Sequence, residues 1–215
     1  MFVLNQVDSV ANQFLAEIRD ENIQLDRMRF RRNIERLGEI MAYELSKTLQ
    51  YKPVDITTPL ATTSVRMVED WPILIPILRA AMPFYTGVLN YFDNADSGFL
   101  GAYRQPIDEH NKFEIQMDYM AMPTIKDKHV VIVDPMLATG KSFIKALRAI
   151  QKNGIPKHID IFCIIASPEG IEYIEQHVNT SYKFWIAAID ECLNEKSYII
   201  PGLGDAGDLS FGNKL

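Results

Sequence analysis

The sequence predicts an α/β protein with an open, mainly parallel twisted sheet flanked by helices. Three observations carry that expectation. Residues 73–78, 130–133 and 159–166 are apolar runs, rich in β-branched residues and with almost no polar alternation, as in strands buried on both faces. Apolar positions at helical spacing follow them, as with Phe143, Ile144, Leu147 and Ile150 after the second run. A chain of 215 residues suffices for one two-sided core but hardly for two full domains. The expected organisation is a single domain, residues 1–215.

Val7, Val10, Phe14, Leu15 and Ile18 recur at helical spacing and predict an opening amphipathic helix. A longer helix follows, with Leu25, Met28, Ile34, Leu37, Met41, Leu45 and Leu49 as its buried positions. Arg27, Arg29, Arg31, Arg32 and Arg36 crowd its first half, interleaved with acids, and read as a solvated face rather than an RNA or effector surface. Val54-Asp55-Ile56 is a short strand candidate at an edge. In the run at 73–78, Pro76 is awkward for a central strand, so the ladder is expected to end near it. That strand delivers Arg79 at its carboxyl end, a helix carrying Phe84, Val88, Leu89 and Phe92 returns the chain, and the strand at 98–103 delivers Arg104.

Residues 113–120 alternate and predict a half-exposed antiparallel ribbon. Beyond the strand at 159–166, Ser167 is placed to cap a helix with Pro168 in its first turn. The last strand, 184–189, ends at Asp190.

Composition narrows the function classes. The chain is 47% hydrophobic and 23% charged, with no long apolar span, linker or repeat, so a soluble cytoplasmic protein is expected. Its formal net charge of −6 argues against general nucleic-acid binding. Cys163 and Cys192 make neither a disulfide framework nor a zinc site. His110, His129, His158 and His177 lack ligand spacing and read as surface residues.

The chemistry concentrates after the strand at 130–133. Asp134 stands at its carboxyl end, followed by Pro135, Met136, Leu137, Ala138, Thr139, Gly140, Lys141 and Ser142, and then a helix. A small-residue loop opening a helix is an anion site, because free N–H groups and the positive end of the helix dipole face what it encloses. Two ligand readings compete. Gly140-Lys141-Ser142 matches the tail of a Walker A loop, as in a nucleotide kinase, and Asp190 would then hold magnesium. Pro135 stands where that motif needs glycine, and Asp134 would repel nucleotide phosphates. The other reading is a loop for phosphoribosyl pyrophosphate (PRPP), in which a strand-end acid faces the ribose hydroxyls.

Residues 133–140 closely resemble the PRPP loop of uracil phosphoribosyltransferases, type I phosphoribosyltransferases that carry Asp-Pro where most relatives carry two acids. Pro76-Ile77-Leu78-Arg79-Ala80 resembles that family's first PRPP block, and residues 198–208 resemble its uracil loop. Residues 167–170 are similar to a further block, whereas the first seventy carry no diagnostic motif.

The resemblance implies N-terminal helices over about 5–50, a core over about 51–190, and a base-binding hood over about 191–215, with the ribbon as a flap. It implies the reaction uracil + PRPP → UMP + pyrophosphate, with Mg2+ carried by PRPP rather than by direct protein ligands. Asp134, Arg79 and Arg104 become the catalytic candidates, and PRPP is expected on Arg79, Arg104, residues 134–142 and Asp205. Uracil is expected on Ile199, Gly204, Asp205 and Ala206. GTP is a candidate effector, and a homodimer or higher homo-oligomer is expected. A pyrimidine-sensing or RNA-binding regulator that keeps the ligand site is the non-enzyme alternative. The chain departs from the family pattern at Ala81 and Lys141, where glycine is usual.

Overall fold

The computed structural model describes residues 1–106 and 113–213, with the backbone alone for 102–106 and 113–118. The main sheet places, side by side, β1 (Phe2–Val3), β10 (Tyr182–Ile189), β9 (His158–Ala166), β7 (His129–Val133), β4 (Ile73–Leu78), β5 (Phe99–Pro106) and β6 (Phe113–Ala121). A short β8 (Met136–Leu137) also pairs with β9. Every pairing is parallel except that of β5 with β6. Residues 107–112, between these two strands, lie outside the described residues and include His110.

Burial on both faces explains the unbroken apolar runs. Val131 and Val133 pack with Leu74, Phe162 and Trp185 beneath α1 (Ala11–Arg19), α2 (Arg27–Ser46) and α3 (Met82–Leu89). Val130 and Ile132 point the other way, toward α4 (Lys141–Ile150) and α5 (Pro168–His177). Each such side chain contributes roughly 1.5–3 kcal/mol by leaving water. From β4 the chain crosses through α3 to β5, whereas from β7 it crosses through α4 to β9 on the opposite side. The carboxyl ends of β4 and β7 therefore flank a topological switch point, where open α/β sheets bind ligands.

Several sequence expectations need correction. α1 starts at Ala11, so Val7 and Val10 precede it and are 70% and 69% exposed. Asp26 caps α2 by accepting from the N–H groups of Met28 and Arg29, which leaves Leu25 outside the helix and Met28 in its solvent-facing first turn. Leu49 lies beyond the end of α2 and is half-buried against the core. The ladder to β7 does end at Pro76, as expected, but the strand itself continues to Leu78 paired with β5.

The short edge strand proves to be one arm of a hairpin, β2 (Tyr51–Thr57) with β3 (Thr62–Val68), forming its own two-stranded sheet. The arginine-rich face of α2 is largely ordinary surface, with Arg29 on Glu17 and Arg32 on Glu35, but Arg31 donates to the carbonyl of Ser210 near the C-terminus. Among the described residues no helix is long and apolar enough to cross a membrane.

The histidines do not all behave as isolated surface residues. His177 is exposed and stacked on Tyr173. His129 and His158 are instead paired in the β7–β9 register and converge on the buried Asp160. Burial would push the Asp160 carboxyl up, but hydrogen bonds from His129, His158 and Trp185 outweigh it and bring it down to about 2.

Candidate active site

A cleft opens at the carboxyl ends of β4 and β7. Arg79 and Ala80 line it after β4, and Asp134, Met136, Leu137, Ala138, Thr139, Gly140 and Ser142 line it after β7. From the C-terminal segment come Tyr198, Ile199, Gly204, Asp205, Ala206 and Gly207. Three stretches far apart in sequence thus meet in one site. Pro135 and Lys141 do not line it. Pro135 is buried and its carbonyl accepts from the N–H groups of Ile164 and Ile165, while Lys141 is exposed. The Arg104 side chain lies outside the described residues.

The phosphate-type loop is shaped from behind. Gly140, at φ +70°, makes the turn into α4, a left-handed conformation that glycine adopts without penalty. Lys141 is the first helical residue, so its departure from glycine puts no side chain in a positive-φ position. Gly140 at the N-cap offers no side chain to α4, Lys141 N makes only a long contact to Thr139 Oγ1 at 3.5 Å, and the first turn faces the loop with the positive end of the helix dipole. The loop rests on α5: Ser167 Oγ donates to the carbonyl of Ala138 at 2.6 Å and accepts from Gly170 N at 3.0 Å. Asp134 is oriented by accepting from Met136 N at 3.1 Å.

Ala81, the other departure, is buried at the start of α3 with helical φ, so its methyl belongs to the core. Burial, and secondarily the charge of Asp134, push the Cys163 thiol well above its usual range. A thiolate nucleophile at the floor of the cleft is therefore disfavoured.

Arg79 reaches across to the C-terminal helix α6 (Ala206–Phe211). Its Nη2 donates to Asp208 Oδ1 at 2.8 Å and to the carbonyl of Gly212 at 2.7 Å. Among the described residues, its Nε is buried without a partner. A buried, unsatisfied guanidinium donor beside a helix N-terminus suits a phosphate oxygen. Asp205 caps α6 by accepting from Asp208 N at 2.9 Å.

The C-terminal loop that lines the cleft is held by a contact that sequence reasoning missed. The two Arg19 Nη atoms grip Asp190, Nη1 donating to Oδ2 at 2.9 Å and Nη2 to Oδ1 at 2.6 Å. Gly202 N donates to the same carboxylate at 2.8 Å, and Arg19 Nη1 donates to the Gly202 carbonyl at 2.9 Å. Asp190 is therefore a tether for the loop, not the magnesium ligand of the Walker reading. Its position at a strand end was visible, but its partner lies 171 residues away.

Arg19→Ala leaves that buried carboxylate without its cation. The expected loss is about 3 kcal/mol, the low end for a broken buried pair because Arg19 is 24% exposed. For a domain of this size that lowers the Tm by roughly 6–12 °C. Unchanged melting would show that the loop stands without the tether.

The residues also suit a substrate-borne hard cation. Asp134 and Asp205 bring carboxylate oxygens to the cleft, the ligand type Mg2+ takes, but too few to form a protein cage.

The sequence matches the family described as uracil phosphoribosyltransferase over residues 7–213. It is 50% identical over 207 residues to a uracil phosphoribosyltransferase of Porphyromonas gingivalis, covering 96% of this chain and 95% of that one. A uracil phosphoribosyltransferase of Thermococcus gammatolerans is 40% identical, with 94% and 89% covered. The solved structure of the AQ2163 protein from Aquifex aeolicus superposes with a TM-score of 0.86 at 32% identity, over 99% of this chain and 98% of that one. The chain belongs to the uracil phosphoribosyltransferase family.

Proposed function

We propose that this protein transfers the 5-phosphoribosyl group of PRPP to N1 of uracil, giving UMP and pyrophosphate. The observation that carries the reading is one cleft combining an open helix N-terminus, an arginine with an orphan donor, a strand-end acid and a backbone-rich loop. The loop at 138–142 takes the 5′-phosphate on its N–H groups. Arg79 exchanges its contacts with Asp208 and Gly212 for the pyrophosphate. Asp134 orients the ribose hydroxyls and stabilises positive charge developing on the ribose as the C1′–oxygen bond breaks. Arg104 and Asp205 complete the PRPP contacts, whereas Pro135 and the Lys141 side chain, which do not line the cleft, take no part. Mg2+ carried by PRPP would face Asp134 and Asp205 and would supply positive charge for the leaving pyrophosphate.

Ile199, Gly204, Asp205 and Ala206 hold uracil mainly through backbone groups. A main-chain N–H donating to uracil O4 would face the amino group of cytosine, a penalty of roughly 1–3 kcal/mol.

Radiolabelled uracil with PRPP and Mg2+ tests the reaction. Equal amounts of UMP and pyrophosphate are expected. ATP consumption in place of UMP synthesis would mark a kinase, and UMP binding without turnover a regulator. Arg79→Ala should lower kcat/KM for PRPP ten- to a hundred-fold, since a charge-assisted contact is worth roughly 1.5–3 kcal/mol. Wild-type kinetics in that variant would remove Arg79 from the site.

Assembly as a homodimer or higher oligomer is part of the proposal. Its support is the β2–β3 hairpin, which exposes Ile56, Leu60, Val65 and Met67, with Leu60 96% exposed. Apolar side chains gathered on a separate two-stranded arm suit burial against a second copy. Sedimentation equilibrium distinguishes this from a monomer.

A further inference from the structure

At the amino end of the sheet, opposite the cleft, three groups with no role in the proposed reaction converge. His129 and His158 are partners in the parallel β7–β9 ladder, and Asp160 stands two residues after His158 on the same strand face. His129 Nε2 lies 2.5 Å from Asp160 Oδ2, and His158 Nε2 lies 3.3 Å from Asp160 Oδ1. One ligand atom from each of the three residues lies within 4.8 Å of the others. From His129 to Asp134 the strand advances roughly 16 Å, so this cluster is remote from the PRPP loop.

We infer that His129, His158 and Asp160 form a transition-metal site of the zinc class, separate from the Mg2+ that accompanies PRPP. The donor set is two imidazoles and a carboxylate, which suits zinc and its neighbours rather than magnesium. Its surroundings resemble the outer shell of a metal site. Trp185 Nε1 donates to Asp160 Oδ1 at 2.7 Å and fixes the carboxylate, which is only 1% exposed. His158 Nδ1 is 2.8 Å from Ser181 Oγ, a contact that orients the ring with Nε2 toward the carboxylate.

The geometry asks for a modest adjustment. With metal–ligand bonds near 2.0–2.1 Å, tetrahedral ligand atoms stand roughly 3.3 Å apart, so the His129–Asp160 gap must widen by under about 1 Å. The imidazoles can make that movement, because His129 and His158 are 26% and 31% exposed while Asp160 is held by Trp185. Their exposed side leaves a fourth position for water. A bound ion would clamp β7 to β9 where the strands begin, stabilising the fold without entering the reaction.

The test uses tag-free, chelator-treated protein in a Cys192→Ser background, because the exposed Cys192 thiol is a competing ligand. Co2+ serves as the spectroscopic probe and Zn2+ as the stabilising ion, both in excess Mg2+. One equivalent of Co2+ should give saturable visible d–d absorption. Zn2+ at a hundred-fold excess over its dissociation constant should raise the Tm by roughly 5–10 °C. Both signals should vanish in His158→Gln and in His129→Gln, while uracil turnover in His158→Gln stays at the parent level. A parent protein with neither signal overturns the inference, as do signals that survive in both variants. Should one variant fail to fold, the parent titration and the other variant still decide.

Discussion

Gly170→Ala should lower kcat/KM for PRPP by on the order of a hundred-fold while leaving the sheet intact. A Cβ at Gly170 would stand 2.2 Å from the Ala138 carbonyl oxygen and 2.8 Å from that of Leu137. Both are backbone atoms, so no side-chain rotation relieves the clash. The carbonyl that now accepts from Ser167 must leave α5, and it carries residues 138–140 into the space assigned to the 5′-phosphate. A displacement of about 1 Å at a positioning element costs on the order of a hundred-fold in rate. Steady-state kinetics at varied PRPP, with far-UV circular dichroism as the folding control, makes the measurement. Near-native kinetics would mean that the loop is not positioned by α5.

Gly204→Val should abolish uracil use more than it weakens PRPP binding. Gly204 has φ +93°, where a β-branched residue is strained by roughly 1–3 kcal/mol. Space is not the obstacle, because the nearest atom to an added Cβ is Leu209 Cδ1 at 3.9 Å. The backbone relieves the strain by rotating the peptides that face the base. Losing about two base hydrogen bonds lowers kcat/KM for uracil on the order of a hundred-fold.

Asp205→Asn gives the complementary result. Asparagine caps a helix as well as aspartate does, so α6 keeps its start. Only a charge at the proposed PRPP site is lost, so turnover should fall while the preference for uracil over cytosine persists. Normal uracil turnover in Gly204→Val, or a switch to cytosine in Asp205→Asn, would refute readout by the backbone.

What the sequence made legible follows from what burial imposes on it. Residues 130–133 had to be apolar throughout because successive side chains enter opposite cores, and the acid that ends the run is visible for the same reason. The β2–β3 hairpin was half missed because it buries so little. Its residues largely face solvent, and the second strand alternates only from Ser64 to Met67, too briefly to stand out. Helix starts slipped where apolar residues such as Val10 and Leu25 fall in register with a helix but precede its first turn.

Partners joined only by tertiary structure were beyond sequence spacing. Arg19 meets Asp190 because α1 lies beside the end of β10, and His129 meets His158 because two parallel strands begin in register. Pro135 shows the limit of a motif, since it sits within the loop by sequence yet faces β9 through its carbonyl.

The central claim is that one cleft holds the ribose phosphate on residues 138–142 and reads the base with the backbone of residues 199–206. A crystal structure with UMP tests it most directly. The expected density places the 5′-phosphate at the N-terminus of α4, the ribose hydroxyls against Asp134, and the edge of the uracil ring against main-chain groups of Ile199, Gly204 and Ala206. UMP bound with its base away from that loop, or with its phosphate away from α4, would contradict the account.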